Sequence, residues 1–154
     1  MELKSGERVV NRFNPHFHKG IERLLPEALA KINSCGRGFI IEEVDFGQPI
    51  GETVCVATVE SDQIVYAKRP KRFGYSRFVK NRKPETCNVV TVILKKDAVE
   101  DYYILITAFV GYRPEPEPWD RNATAHSCAF WDSHALVFGH EEIIPGSETV
   151  ECPW

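Results

Sequence analysis

The sequence predicts an α+β fold: a central antiparallel twisted β-sheet, an N-terminal helix packed on it, and a C-terminal helix. Two observations favour this class. Apolar residues recur at helical spacing near the start of the chain and again beyond a proline-rich stretch, and β-branched and aromatic residues dominate the middle. At 154 residues the chain has the length of one typical domain. Since no change in composition marks a boundary, we expect a single domain spanning residues 1–154.

The first helix is expected over residues 15–33. Asn14 is a favourable capping residue, and Pro15 suits the first helical position. Apolar side chains then recur three or four residues apart: Phe17, Ile21, Leu24, Leu25, Ala28, Leu29 and Ile32. The pattern stops before Gly36, which suits the end of a helix. Pro26 lies inside the pattern and predicts a kink or a division of this helix into two.

The middle of the chain is expected to form strands. Runs rich in Val, Ile, Thr and aromatic residues occupy positions 39–44, 53–59, 64–68, 77–79, 89–94 and 103–110. The last two runs are the longest, and the short turn between them predicts an antiparallel hairpin. Because neither carries the charges typical of an edge strand, we expect both at the centre of the sheet, with the first helix on one face.

The last part of the chain is expected to contain one helix. Residues 113–118 alternate proline with charged residues, which predicts an extended, polyproline-like segment. A second helical pattern follows over residues 123–138, and Gly139 suits the end of this helix.

Several classes of protein are disfavoured by composition. No apolar run approaches the roughly 20 residues needed to span a bilayer, and the first residues do not resemble a secretory signal. The five cysteines are scattered and form no closely spaced pair, which predicts reduced thiols and argues against a zinc site. We therefore expect a cytoplasmic protein with no membrane partner, no metal and no cofactor.

The charges are distributed unevenly along the chain. The net charge is −3, yet eight of the 19 basic residues lie within positions 68–83, and no acidic residue lies between Asp62 and Glu85. A cluster of one sign repels itself, so its presence in an acidic protein predicts an anionic ligand. The alternative is a solvated strand face that carries long amphipathic side chains.

Three runs of sequence resemble a known family. Residues 77–80, 89–94 and 103–111 resemble the strand core of the BECR superfamily of ribonucleases, which groups barnase, EndoU, colicin-type and RelE-like enzymes, many from toxins or prophages. The resemblance extends over residues 64–111 and, loosely, over the first helix. It implies a metal-independent ribonuclease whose substrate is RNA and whose partner is an antitoxin or immunity protein.

The chemistry of such an enzyme indicates candidate residues. When the RNA 2′-hydroxyl attacks the adjacent phosphate, a base near that hydroxyl, cations around the phosphorane and a proton donor accelerate the reaction. His18 is the candidate base, Arg77 the candidate phosphorane clamp, and Thr107 the candidate hydroxyl group. The candidate RNA-binding residues are Lys68, Arg69, Lys71, Arg72, Lys80 and Arg82. Each has an ordinary alternative role, as an exposed helix histidine, a surface cation or a strand threonine.

Two other functions remain open. A non-catalytic module would bind nucleic acid or another polyanion through the basic hairpin alone. Tyr75 and Tyr112 are candidates to stack on bases of bound RNA, and the alternative for each is a strand or loop anchor. A protein-interaction domain would use the proline-rich segment and an exposed aromatic patch that contains Phe130 and Trp131. The acidic residues of the proline-rich segment, Glu115, Glu117 and Asp120, are expected to keep it solvated.

Overall fold

A computed structural model describes residues 1–12 and 20–154 of the chain. This part is mostly sheet, with 35% strand and 12% helix, arranged as ten strands in three sheets and two α-helices. The expected α+β fold, a single central sheet with an N-terminal and a C-terminal helix, is therefore wrong. Most of the strands were anticipated, but several of them pair with partners distant in the sequence and divide between separate sheets.

The strands and helices have the following bounds. The strands are β1 (Arg8–Val10), β2 (Phe39–Asp45), β3 (Gly51–Thr53), β4 (Cys55–Ala57), β5 (Ile64–Lys68), β6 (Tyr75–Val79), β7 (Glu85–Cys87), β8 (Val89–Lys96), β9 (Tyr102–Val110) and β10 (His134–Val137). The helices are α1 (Leu25–Ala30) and α2 (Ala125–Ser133), and a short 3-10 turn spans Ile21–Arg23.

The chain divides into two compact units. The first comprises Met1–Glu52 and Thr86–Arg113, and the second comprises Thr53–Glu85 and Pro114–Trp154. Strands β3 and β7 form a separate two-stranded sheet. The expectation of a single domain over residues 1–154 stays a prediction.

The first unit contains a four-stranded sheet in the order β1-β9-β8-β2. β8 and β9 are antiparallel and occupy its two inner positions, so the predicted central hairpin is confirmed. The pairing shifts register between Ile93 and Leu94, which lie opposite Thr107 and Leu105, so Ile106 is the extra residue of a β-bulge. The other neighbours are β2, which is antiparallel to β8, and β1, which is parallel to β9.

The first helix is much shorter than residues 15–33. α1 begins at Leu25, and Pro26 lies in its first turn, where the missing N–H removes no helical hydrogen bond. Its buried face, Leu25, Ala28 and Leu29, belongs to the core of the first unit together with side chains of the sheet. The start of the expected helix falls on residues 13–19 and so lies outside the described residues.

The second unit contains a four-stranded sheet in the order β4-β10-β6-β5. The predicted helix over residues 123–138 is correct for α2 but wrong beyond Ser133, because the next four residues form β10. This strand pairs antiparallel with β4 and parallel with β6. Ala135, Leu136 and Val137 are buried there, and an apolar run of this length fits a central strand as well as a helix.

No helix in the described ranges is long and apolar enough to cross a membrane. All five cysteines are free.

Candidate nucleic-acid interface

The basic segment, residues 68–83, forms the end of β5, the whole of β6 and the loops that follow each. Carboxylates that are distant in the sequence form ion pairs with some of its cations. Arg69 pairs with Glu117 at 2.7 Å and with Glu141 at 3.7 Å. Lys80 lies 3.5 Å from a carboxylate oxygen of Glu148. Four of the eight basic residues are thus held by groups outside the segment: Arg69, Arg77, Lys80 and Arg82.

Arg82 is held by neighbours on both sides. Its guanidinium lies 3.1 Å from Asp62 and 3.2 Å from Glu85, the two acidic residues that bracket the basic segment. It also donates a 3.3 Å hydrogen bond to the carbonyl of Ala57. These contacts connect the loop after β6 to the region around β4.

Arg77 serves the packing of the sheet. Its Nη1 donates hydrogen bonds of 2.9 Å to Thr58 Oγ1 and to the backbone carbonyl of His134. The side chain therefore links three segments of the second unit. Thr107 lies in the first unit, on β9, half-buried and opposite Ile93. His18 lies outside the described residues, so the predicted catalytic set stays a prediction.

Two of the other four cations, Lys71 and Arg72, lie in the loop between β5 and β6, which we call the tip loop (residues 69–74); Lys68 ends β5 and Lys83 follows β6. Among the described residues, Lys71 and Arg72 have no ion-pair partner, and both are exposed. Phe73 follows them with 93% of its surface accessible, the highest fraction among the large apolar residues that the structure describes. The tip loop therefore presents two adjacent cations and an aromatic ring to solvent.

Arg69 anchors one end of the tip loop. Its Nε donates to Ser76 Oγ at 2.9 Å, and its Nη2 donates to Glu117 Oε2 at 2.7 Å. The side chains of Arg69 and Glu117 are only 14% and 10% exposed. A charge-assisted pair in such a site is directional and poorly screened by salt, so it fixes where the loop begins.

Gly74 anchors the other end. A Cβ atom at this position would lie 2.3 Å from Cγ of Trp119, which is inside van der Waals contact with a rigid ring. Only glycine allows the backbone to approach the indole so closely. The loop is thus fixed at both ends, by an ion pair and by a backbone-to-ring contact.

Lys71 sets the path of the chain between these anchors. Its φ is 63°, the left-handed region that residues other than glycine seldom adopt. The turn is closed by a backbone hydrogen bond from Arg72 to Arg69 at 3.3 Å, and Arg72 Nη1 donates to the carbonyl of Pro70 at 3.2 Å. Strained backbone of this kind persists where surrounding contacts hold it, and it is common in segments that contact ligands.

The aromatic patch required by the protein-interaction hypothesis is not formed by its two candidate residues. Trp131 is 3% exposed and its Nε1 donates to the carbonyl of Glu115 at 2.9 Å. Phe130 is half-buried and stacks on His134 with ring centroids 4.0 Å apart. Glu117 also departs from expectation, because it is buried in an ion pair and does not solvate the proline-rich segment.

A shallow groove of about 540 Å³ lies in the first unit. Among the described residues, its walls contain one cation, Arg23, and one carboxylate, Glu52, and include neither a histidine nor a cysteine. None of the predicted site residues that the structure describes lines it. Within residues 1–12 and 20–154, no group of three or more His, Cys, Asp or Glu side chains is placed to hold a metal ion.

Sequence reasoning missed Phe73, Gly74 and the distant carboxylates. A local signal for the first two was present, since Pro70 and Gly74 bracket a short turn between two strand-like runs, with an aromatic residue among cations. No local signal marks Glu117, Glu141 or Glu148 as partners of this segment.

Comparison with known proteins identified no relative of this chain. The chain matches no protein-family model, and neither the curated proteins nor the solved structures contain a significant match.

Proposed function

We propose that this protein binds single-stranded RNA through the tip loop. The observation that carries the proposal is the 93% exposure of Phe73 directly beside two cations that have no carboxylate partner among the described residues. A large apolar ring in water forgoes the free energy of burial, and contact with a ligand would recover part of it.

The chemistry of the loop matches an unpaired nucleotide. The Phe73 ring offers a face on which a base stacks, and every base has such a face. Lys71 and Arg72 offer donors to the flanking phosphates, with the planar guanidinium suited to bidentate contact. Because the loop is fixed by Arg69 and Gly74 before ligand arrives, little conformational entropy is lost on binding.

The other expectations are not required for this function. Ribonuclease activity, an antitoxin or immunity protein as partner and a cytoplasmic location stay predictions. The binding function requires only the tip loop, whereas catalysis also requires a base, for which His18 is the candidate.

The test is the affinity of Phe73 variants for a short oligouridylate, measured by fluorescence anisotropy at fixed salt. Loss of one stacked base is worth about 1–3 kcal/mol, so Phe73→Ala should raise the Kd by roughly 5- to 150-fold. Phe73→Trp should retain affinity because it preserves stacking. Phe39→Ala, which removes an exposed aromatic ring of the first unit, is the matched control and should leave the Kd unchanged.

A further variant separates stacking from simple apolar contact. Phe73→Leu keeps an apolar side chain but removes the ring face, so it should bind RNA as poorly as Phe73→Ala. If Phe73→Leu instead binds as wild type, or if Phe73→Ala loses no affinity, stacking by Phe73 is refuted. Binding to phosphatidylserine vesicles without binding to the oligonucleotide would assign the tip loop to an anionic membrane surface instead.

A further inference from the structure

The segment at residues 139–154, which we call the strap, is opposite in charge to the basic segment. It contains four glutamates and no lysine or arginine: Glu141, Glu142, Glu148 and Glu151. Both segments belong to the second unit.

The strap follows the edge strand of the second sheet. β5 pairs with β6 on one side, and the strap pairs with it on the other. Tyr66 and Thr149 exchange two backbone hydrogen bonds of 2.7 and 2.8 Å, and the amide of Ile144 donates to the carbonyl of Lys68 at 2.8 Å. The strap thereby covers backbone groups of an edge that would otherwise be open to another chain.

Side chains of the strap form ion pairs with two cations that the sequence predicted to bind RNA. Glu141 lies 3.7 Å from Arg69, and Glu148 lies 3.5 Å from Lys80. Trp154 packs edge-on against Tyr66 with ring centroids 5.2 Å apart. The carboxylates of the strap therefore lie where phosphates of a bound strand would be attracted.

These contacts are of the kind that a competitor displaces. The side chains of Glu141 and Glu148 are 36% and 40% exposed, and exposed ion pairs are weak and screened by salt. Val150 is also exposed, so the end of the strap has little apolar anchoring beyond Trp154. By contrast, the Arg69–Glu117 pair beneath it is buried and stays in place.

We propose that the strap is an autoinhibitory element that competes with RNA for the basic face of β5 and β6. In the closed state the tip loop is available, while the strap carboxylates occupy Lys80 and repel a strand from Arg69. A bound strand displaces the strap carboxylates and gains the Lys80 site, and it is no longer repelled from Arg69. This inference rests on the proposed RNA-binding function, but its test does not depend on RNA alone.

The test compares two double variants with the same change in net charge. Glu141→Gln/Glu148→Gln removes the carboxylates that pair with the basic segment, whereas Glu142→Gln/Glu151→Gln removes two that have no ion pair within the described part of the chain. Affinity for inorganic polyphosphate and for oligouridylate is measured as a function of salt. Relative to the control, the first variant should bind both ligands tighter, by up to about fivefold for each exposed pair removed.

The salt dependence gives a second readout. Each additional phosphate contact steepens the log–log slope for a single strand by about 0.7, so release of Lys80 should steepen the RNA slope by about that amount. Equal affinities and slopes in the two double variants would overturn the strap proposal. If neither variant binds RNA but the first binds polyphosphate more tightly than the control, the strap still shields the basic face from a polyanion, while RNA as its ligand is refuted.

Hydrogen exchange of the wild-type protein tests displacement directly. The amides of Ile144 and Thr149 are protected by their bonds to β5, so saturating polyphosphate should make both exchange faster. The amide of Val137, bonded to Val54 O within the sheet, is the internal control. Unchanged exchange at residues 144 and 149 with ligand bound would refute displacement.

Discussion

At the scale of single residues, the environment of Cys55 illustrates how burial changes chemistry. The thiol lies on β4, and burial first, with the Glu117 carboxylate second, raises the pKa of Cys55 to about 11. The thiolate is disfavoured in the folded protein, so Cys55 is not expected to act as a nucleophile near neutral pH.

This shift predicts a pH dependence of stability. Between about pH 9 and pH 11 the unfolded chain releases the Cys55 proton and the folded chain retains it, so the free energy of unfolding should fall as pH rises. The thiol contributes its full stability below pH 9, and at most roughly 2 kcal/mol is lost across this window. Urea unfolding at several pH values would measure the loss, which Cys55→Ala should reduce.

The comparison variant is Cys128→Ala, which removes an exposed thiol on α2. It should unfold with the same pH profile as wild type. Burial also raises the pKa of Tyr66, but Cys55→Ala and Cys128→Ala both retain Tyr66, so the difference between their pH profiles reports on Cys55. Identical profiles for Cys55→Ala and wild type would mean that the thiol does not titrate in this range.

At the scale of secondary-structure elements, the hairpin of β5 and β6 divides its cations between structure and binding. Arg69 is buried with Glu117 at the root of the tip loop, whereas Arg72 is exposed at its end. Removal of one partner of a buried pair leaves the other charge unpaired in a poorly solvated site, which is costly.

We therefore predict that two arginine substitutions in the tip loop differ in their effect on the free energy of unfolding. Arg69→Ala should lower the free energy of unfolding by about 3 kcal/mol, measured by chemical denaturation, because Glu117 loses its main partner. Arg72→Ala should change stability by less than about 0.5 kcal/mol, as exposed positions usually do, and should weaken RNA binding. An Arg69→Ala variant as stable as wild type would show that this pair does not anchor the loop.

At the scale of the whole molecule, catalysis is the principal prediction still to be tested. The resemblance of residues 64–111 to the BECR ribonucleases implies cleavage that needs no metal and leaves 2′,3′-cyclic phosphate ends. Incubation of the purified protein with total RNA, with and without a chelator, should give the same products in both cases. Loss of one acid–base group costs about 10²–10⁴ in rate, so His18→Ala should be nearly inactive.

His126→Ala is the control for this experiment, because His126 is exposed in the first turn of α2 and has no assigned role. It should cleave as fast as wild type. Intact RNA under all conditions would leave a binding function without catalysis. Cleavage abolished by chelator would contradict the metal-independent mechanism, and full activity in His18→Ala would move the base to another residue.

The sequence by itself determined where most strands lie. The run at 64–68 forms β5 with the same bounds, and the longest pair forms the central hairpin of the first sheet. These features are local: β-branched residues favour extended backbone, and a short connection makes the neighbouring strand the nearest partner. For the same reason, Pro70 and Gly74 mark the turn between β5 and β6 in the sequence itself.

Only the tertiary structure decided how the strands are divided into sheets and which cations are available to a ligand. β10 is a strand because it lies between β4 and β6, and its own residues fit a helical pattern equally well. Arg69 is neutralised by Glu117, 48 positions away, and the basic segment pairs with the strap still further along the chain. Such partners are chosen by burial and by the paths of distant segments, and no local periodicity or charge count encodes that choice.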